Sequence, residues 1–219
     1  MTEQSGNYRK DKEMSAILAL TTVIILLIAS ALRRKKPAMA PAVFVKRYMH
    51  PGHTWVRETP DGEVLVGIDD FAAALIGPVD GVELPRLLRN VRQGEIAMSV
   101  RHGSRTVPLI SPVSGRVVGK NEMVLATPSL IGDSPYGDGW LIRVRPRRLN
   151  AQLHNLLTGK PAQQWLDAVR SQLAGFFSGT PALMYQDGGT MMTNLGDRCS
   201  DEEWERLVNT FFLSDVRTK

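Results

Sequence analysis

The sequence predicts an α+β chain reached through a membrane anchor: one N-terminal transmembrane helix, a strand-rich module, and helices at the C-terminal end. Three patterns carry that prediction. Residues 15–32 form an uncharged apolar run, residues 48–150 hold short apolar stretches broken by Gly, Pro, Asp and Asn, and beyond Pro146 the apolar positions recur at helical spacing. The boundaries follow as a polar tail over 1–14, the span over 15–32, a basic juxtamembrane linker over 33–47, the β module over 48–150 and a helical extension over 151–219.

The span reads Ser15 to Leu32 without a charge, a Gly or a Pro, and contains five Leu, four Ile and one Val. At helical rise its eighteen residues cover roughly 27 Å, close to the hydrocarbon thickness of a bilayer. Those ten branched residues favour insertion by about 5 kcal/mol. Arg33-Arg34-Lys35-Lys36 follows immediately as a stop-transfer cluster able to hold anionic headgroups, which argues against a cleaved signal peptide. Three basic residues precede the span and six follow it by Arg47, so the bias places the C-terminal bulk in the cytoplasm, on the inner membrane.

Composition narrows the class. Of 219 residues, 43% are hydrophobic and 22% charged, which excludes disordered and disulfide-stapled chains. Cys199 is the single cysteine, so no internal disulfide can form. The net charge of +5 is concentrated in residues 33–47, which carry +6 beside the span. That is a membrane-flank pattern, and it argues against nucleic acid as a partner.

Within the module, Thr54–Arg57, Val64–Ile68, Ile96–Val100, Thr106–Ile110, Arg116–Val118 and Trp140–Arg145 read as strands. Pro60-Asp61-Gly62 before Val64 is a hairpin turn signal, and Asp69–Ile76 has helical character. Runs of this length suit a small barrel or sandwich with one or two helices. Further on, Leu149, Leu153, Leu156 and Leu157 make a short helix ended by Gly159. Pro161 opens another, carrying Trp165, Leu166, Val169, Leu173 and Phe176. Thr180–Gly196 reads as loop. Ser200 and Glu203 form a capping box at the head of a helix with the stripe Trp204, Leu207, Val208, Phe211 and Phe212. That stripe either packs on the module or docks on a partner, for which Trp204, Leu207, Phe211 and Phe212 are the candidates.

Residues 53–146 resemble the H protein of the glycine cleavage system, a lipoyl-carrier family. The resemblance rests on His53-Thr54-Trp55-Val56, Asp61-Gly62 with Val64–Gly67, and Gly81-Val82-Glu83-Leu84-Pro85. It continues through Ser111-Pro112-Val113-Ser114-Gly115-Arg116-Val117-Val118, Asn121-Glu122, and Asp133-Ser134-Pro135-Tyr136-Gly137-Asp138-Gly139-Trp140-Leu141. It implies the flattened hybrid of β-sheets found in lipoyl and biotinyl domains. In that family the lipoyl lysine lies at a hairpin tip, in a Glu-Ser-Val-Lys-Ala context. Here Met98-Ser99-Val100-Arg101-His102 corresponds; matched on Ser-Val the position is Arg101, and counted back from Ser111 it is Ser104. A guanidinium stays protonated and cannot be acylated as an amine can. Lys120 is the one lysine between Tyr48 and Asn150. The expectation is therefore a module without lipoylation and without a cofactor.

The tip leaves Arg101 and Arg105 as a solvated turn or as contacts for a partner's carboxylates or phosphates. Arg143 and Arg145, on one strand face, carry the same choice. No Gly-rich phosphate loop, Gly-x-Ser-x-Gly elbow or Cys-x-x-Cys is present, so an enzyme is not expected. His50 and His53 have a metal-like spacing, but Pro51-Gly52 between them forbids a helix. The leading expectation is a membrane-anchored structural subunit of a membrane protein complex, such as a respiratory or photosynthetic electron-transfer assembly. Its partners would be the other subunits and the lipid bilayer. The alternative is a membrane-tethered carrier or adaptor in glycine-cleavage or lipoate metabolism.

Overall fold

The computed structural model describes residues 46–176, 185–186, 190–191 and 199–213. The predicted span, the cluster Arg33 to Lys36, and most of the loop 180–196 lie outside the described residues. Among the described residues no helix is long and apolar enough to cross a membrane.

Alternating apolar runs form the predicted strands. In chain order they are β1 (Arg47–Met49), β2 (Thr54–Glu58), β3 (Val64–Ile68), β4 (Gly81–Glu83), β5 (Asn90–Val91), β6 (Ile96–His102), β7 (Arg105–Ile110), β8 (Gly115–Lys120) and β9 (Ile142–Pro146), with a short β10–β11 pair at 185–186 and 190–191. They assemble into a six-stranded antiparallel sheet of order β1-β2-β3-β9-β8-β5 and a three-stranded sheet of order β4-β6-β7. Val56, Val66 and Val144 from the first sheet and Val100, Val107 and Leu109 from the second are fully buried in one shared core. The α+β prediction holds, and the six predicted strands are all present. The apolar pattern marks none of β1, β4 and β5, nor the β10–β11 pair inside the predicted loop 180–196, because each has two or three residues and no alternation to detect.

β3 is buried on both faces, which its run Val-Leu-Val-Gly-Ile already suggests. Gly67 is required there because a Cβ would come 2.5 Å from the Trp55 ring. Trp55 also donates its indole N–H to the Ile68 carbonyl at 2.8 Å.

The helices are α1 (Asp70–Ile76), α2 (Glu122–Ala126), α3 (Leu130–Asp133), α4 (Leu149–Leu153), α5 (Gly159–Phe176) and α6 (Asp201–Leu207), the last running on into a π-helical turn at Val208–Phe212. Asp69 caps α1 by accepting from the Ala72 N–H at 2.7 Å, and Asn121 caps α2. The predicted Leu149–Leu157 helix ends earlier, at Leu153. Leu157 instead exchanges backbone bonds with Met49 at 2.7 and 2.8 Å, extending the edge of the six-stranded sheet.

The capping box forms as the sequence predicts: the Glu203 N–H donates to the Ser200 hydroxyl oxygen, and the Ser200 N–H donates to the Glu203 carboxylate at 2.9 Å. Those bonds hold the Glu203 carboxyl below its ordinary range. Its contribution to stability is therefore present above about pH 4.3 and is lost as pH falls through the depressed folded value. An NMR carboxyl titration of Glu203 is expected to show a midpoint below that of a free glutamate; an unshifted midpoint would mean the box does not form in solution.

The stripe of α6 resolves one open choice. Trp204, Leu207, Phe211 and Phe212 are buried in the chain's own core, and the turn carrying the last two packs against β7. Of the two roles the sequence leaves open, the burial of these four against β7 and α1 fits packing on the module.

Candidate functional site

The β6–β7 hairpin is where the resemblance places the family's modification. β6 runs two residues and β7 one residue further toward the tip than the apolar pattern alone marks, with Arg101 opposite Thr106 and His102 opposite Arg105. Gly103, at φ +58°, makes the turn with Ser104. The two matched positions therefore differ in kind: Arg101 is a paired strand residue, and Ser104 is an exposed turn residue.

The tip is held down rather than extended. Asp80, just before β4, accepts from the Gly103 N–H and pairs with Arg101 at 3.1 Å, while its own N–H donates to the Arg101 carbonyl at 2.9 Å. Gly81 makes room for the Arg101 side chain; a Cβ there would stand 2.7 Å from its Nη2. His102 Nδ1 meets the Pro78 carbonyl oxygen. On the other strand, Arg105 reaches across to the terminal helix. It donates to the Cys199 carbonyl at 2.6 Å, lies 3.3 Å from Asp201, and stacks 5.0 Å from the Trp204 ring. Arg105, expected as a candidate partner contact, is instead an internal clamp. Beneath it, burial foremost, with Glu203 adding, pushes the Cys199 thiol up.

Arg143 and Arg145 do share a face, as their spacing predicts, and both turn to Glu63. Arg145 pairs with it at 2.7 Å and Arg143 approaches it at 3.7 Å. Lys120 closes β8 opposite Ile142, in the six-stranded sheet, away from the β6–β7 tip in register and in sheet.

A buried polar pair escaped the sequence reading. His53 Nδ1 lies 2.8 Å from Asp69 Oδ2, and both side chains are essentially inaccessible. The imidazole stacks on Phe71 at 4.7 Å and is flanked by Trp165 at 5.0 Å and Phe212 at 5.7 Å. Two polar residues sixteen apart announce no contact, so only an H-x-W start followed by an acidic helix cap hints at it. The neighbouring His50 faces elsewhere, its Nδ1 accepting from the Gly52 N–H at 2.9 Å. The two histidines therefore do not converge on a metal. Among the described residues no cluster of three metal-ligating side chains occurs.

One cleft of about 400 Å³ lies between α1 and α3, lined by Asp70, Ala73, Ala74, Gly77, Ser129, Asp133 and their neighbours. Asp70 is partly engaged, accepting from the Tyr136 hydroxyl at 2.7 Å; burial and that bond raise the tyrosine's pKa.

The comparison with known proteins agrees with this frame. A family model described as glycine cleavage H-protein matches residues 46–169. A probable glycine cleavage system H protein of Pyrococcus abyssi is 32% identical over 122 residues, 56% of this chain and 90% of that one. A glycine cleavage system H protein of Magnetococcus marinus is 35% identical over 124 residues, 57% of this chain and 87% of that one. A crystal structure of a glycine cleavage system H protein from Mycobacterium marinum is 30% identical, with a TM-score of 0.47, covering 56% of this chain and 94% of that one. The resemblance read from the motifs stands. The expectation of a structural subunit in an electron-transfer complex does not: the relatives spanning half this chain are named for glycine cleavage. Moreover, the aromatic stripe meant to hold a host complex is spent inside the chain.

Proposed function

We propose a role on the premise that this chain belongs to the glycine cleavage H-protein family: a membrane-tethered, non-lipoylated adaptor of the glycine cleavage system. It presents the H-protein surface to that system's enzymes without carrying a lipoyl arm, and is itself non-catalytic. One observation carries the reading. The frame continues to the hairpin tip, yet the tip consists of Arg101, His102, Gly103, Ser104 and Arg105, with no lysine. Acylation needs an amine that can lose its proton, and a guanidinium or a hydroxyl does not substitute for it. A carrier arm also needs freedom to swing, whereas Asp80 fastens Arg101 and the turn residue Gly103 of this tip. Lys120 sits in a paired strand of the other sheet.

The tether rests on the apolar run Ser15–Leu32 and the basic cluster Arg33 to Lys36. The excess of basic residues after the run favours a module on the cytoplasmic face.

The test is intact-mass analysis of the full chain co-expressed with lipoate-attaching enzymes, combined with co-purification against the glycine cleavage enzymes. The expected result is no lipoyl or octanoyl adduct together with retained enzyme binding. An adduct on Lys120 would make the chain a carrier instead. Neither adduct nor binding would remove it from this system.

A further inference from the structure

The turn between β4 and β5 presents two leucines to solvent. Leu87 and Leu88 are the most exposed large apolar side chains among the described residues, at 56% and 67%. They form the middle of a turn that closes with the Arg89 N–H donating to the Arg86 carbonyl at 3.1 Å. Leu88 holds φ at +66°, a left-handed conformation that suits Gly or Asn and that a bulky side chain rarely adopts. The turn is nevertheless fixed. The Leu88 N–H donates to the Val117 carbonyl at 2.8 Å, and the Val117 N–H donates to the Arg89 carbonyl at 2.9 Å. A strained backbone and wet leucines both count against stability in a lone module, and they coincide where a segment meets a partner.

Arg86 and Arg89 flank the leucines, both are exposed, and no ion pair joins either to another described residue. The turn is thus an apolar knob between two cations. The cleft between α1 and α3 is its counterpart, with Ala73, Ala74 and Val79 in its walls and the carboxylates of Asp70 and Asp133 at its edge. Asp70 accepts from the Tyr136 hydroxyl at 2.7 Å and has Arg170 at 4.0 Å, which leaves it partly compensated. Asp133 is exposed and has no ion pair among the described residues. Removing one leucine side chain from a core leaves a cavity of about 150 Å³. A cleft of about 400 Å³ therefore has room for two. Knob and cleft flank the same strand: Pro78 and Val79 precede β4, and Arg86 follows it. The helix α2, with Met123 and Leu125 exposed, packs against both β4 and α3.

We infer that a second copy of this chain covers this surface, the turn 86–89 of each copy seating in the α1–α3 cleft of the other. The leucines meet alanine and valine walls, and the guanidiniums meet the carboxylates of Asp70 and Asp133, a pairing that arginine makes with two hydrogen bonds at once. A surface that carries both the knob and the cleft is self-complementary, which is what a two-fold dimer requires. Met123 and Leu125 lie on the helix beside both. The contact goes beyond the adaptor role and does not depend on it, because both halves belong to the module itself.

The test is sedimentation equilibrium of the full chain in a detergent matched to the solvent density. Association to a dimer is expected for the unaltered chain. The variant Arg86→Glu with Arg89→Glu should weaken it by about tenfold or more, and so should Asp70→Lys with Asp133→Lys, because each sets like charges against each other. An equimolar mixture of the two variants should regain the dimer, since each then meets its opposite charge at both contacts. Leu88→Gly decides the matter if a charge variant does not fold: glycine suits the left-handed turn, so the chain should be at least as stable to urea while associating about tenfold more weakly. A monomer at every concentration would overturn the proposal. So would a dimer that Leu88→Gly and the charge variants leave intact, since the contact would then lie elsewhere, or a mixture that stays monomeric.

Discussion

Asp69→Ala is expected to destabilise the module by about 2–4 kcal/mol, through two losses at once. One carboxylate oxygen caps α1 at the Ala72 N–H, and such caps contribute about 1 kcal/mol. The other oxygen satisfies His53 at 2.8 Å inside a cage of Phe71, Trp165 and Phe212. Removing it leaves a buried imidazole nitrogen without its partner, a further penalty of about 1–3 kcal/mol. Asp69→Asn should cost less, because the amide oxygen can still cap the helix. Urea unfolding of the full chain, followed by far-UV circular dichroism, measures both. Equal losses for the two variants would mean that the cap, not the buried pair, is the smaller matter and that charge dominates.

Phe212→Ala is expected to cost about 3–5 kcal/mol, the usual range for deleting a fully buried phenylalanine. Phe212 is inaccessible, lies in the main core, and approaches His53 at 5.7 Å. The effect separates the two roles first open to the α6 stripe: a docking helix would lose binding while the module stayed folded, whereas an internal helix takes stability from the module itself. Because Phe212 and Asp69 both contact the His53 ring, their double variant should fall short of the sum of the singles. Strict additivity in thermal or urea denaturation would mean the ring does not couple them.

Strands were legible where apolar residues alternate or run unbroken, as in Val64–Ile68, and a helix start was legible where a capping box precedes it, as at Ser200. The hairpin tip was legible too, since the absence of a lysine from 97–105 is a fact of composition at a motif position. Three things were not. β1, β4 and β5 are too short for any period to show. Arg105 reads as a surface arginine, although its partners Cys199 and Asp201 lie more than ninety residues away in sequence. The contact of His53 with Asp69 leaves no signal in the sequence until the fold closes an aromatic cage around the imidazole.

By itself the sequence determined the α+β class, the family frame, the capping box at Ser200 and the absence of a lysine from 97–105. Each of these is set by a residue's own chemistry or by its neighbours within a few positions. Only the tertiary structure decided which arginines are spent and which are presented, and which aromatic face is core. Side-chain burial and ion pairing depend on what comes to lie opposite, and strand register brings together residues that no local pattern links. Arg105 is consumed inside the chain, Arg57 donates to the Tyr136 carbonyl and Arg143 and Arg145 turn to Glu63, whereas Arg116 stays exposed, because the pleat and the pairing place them there.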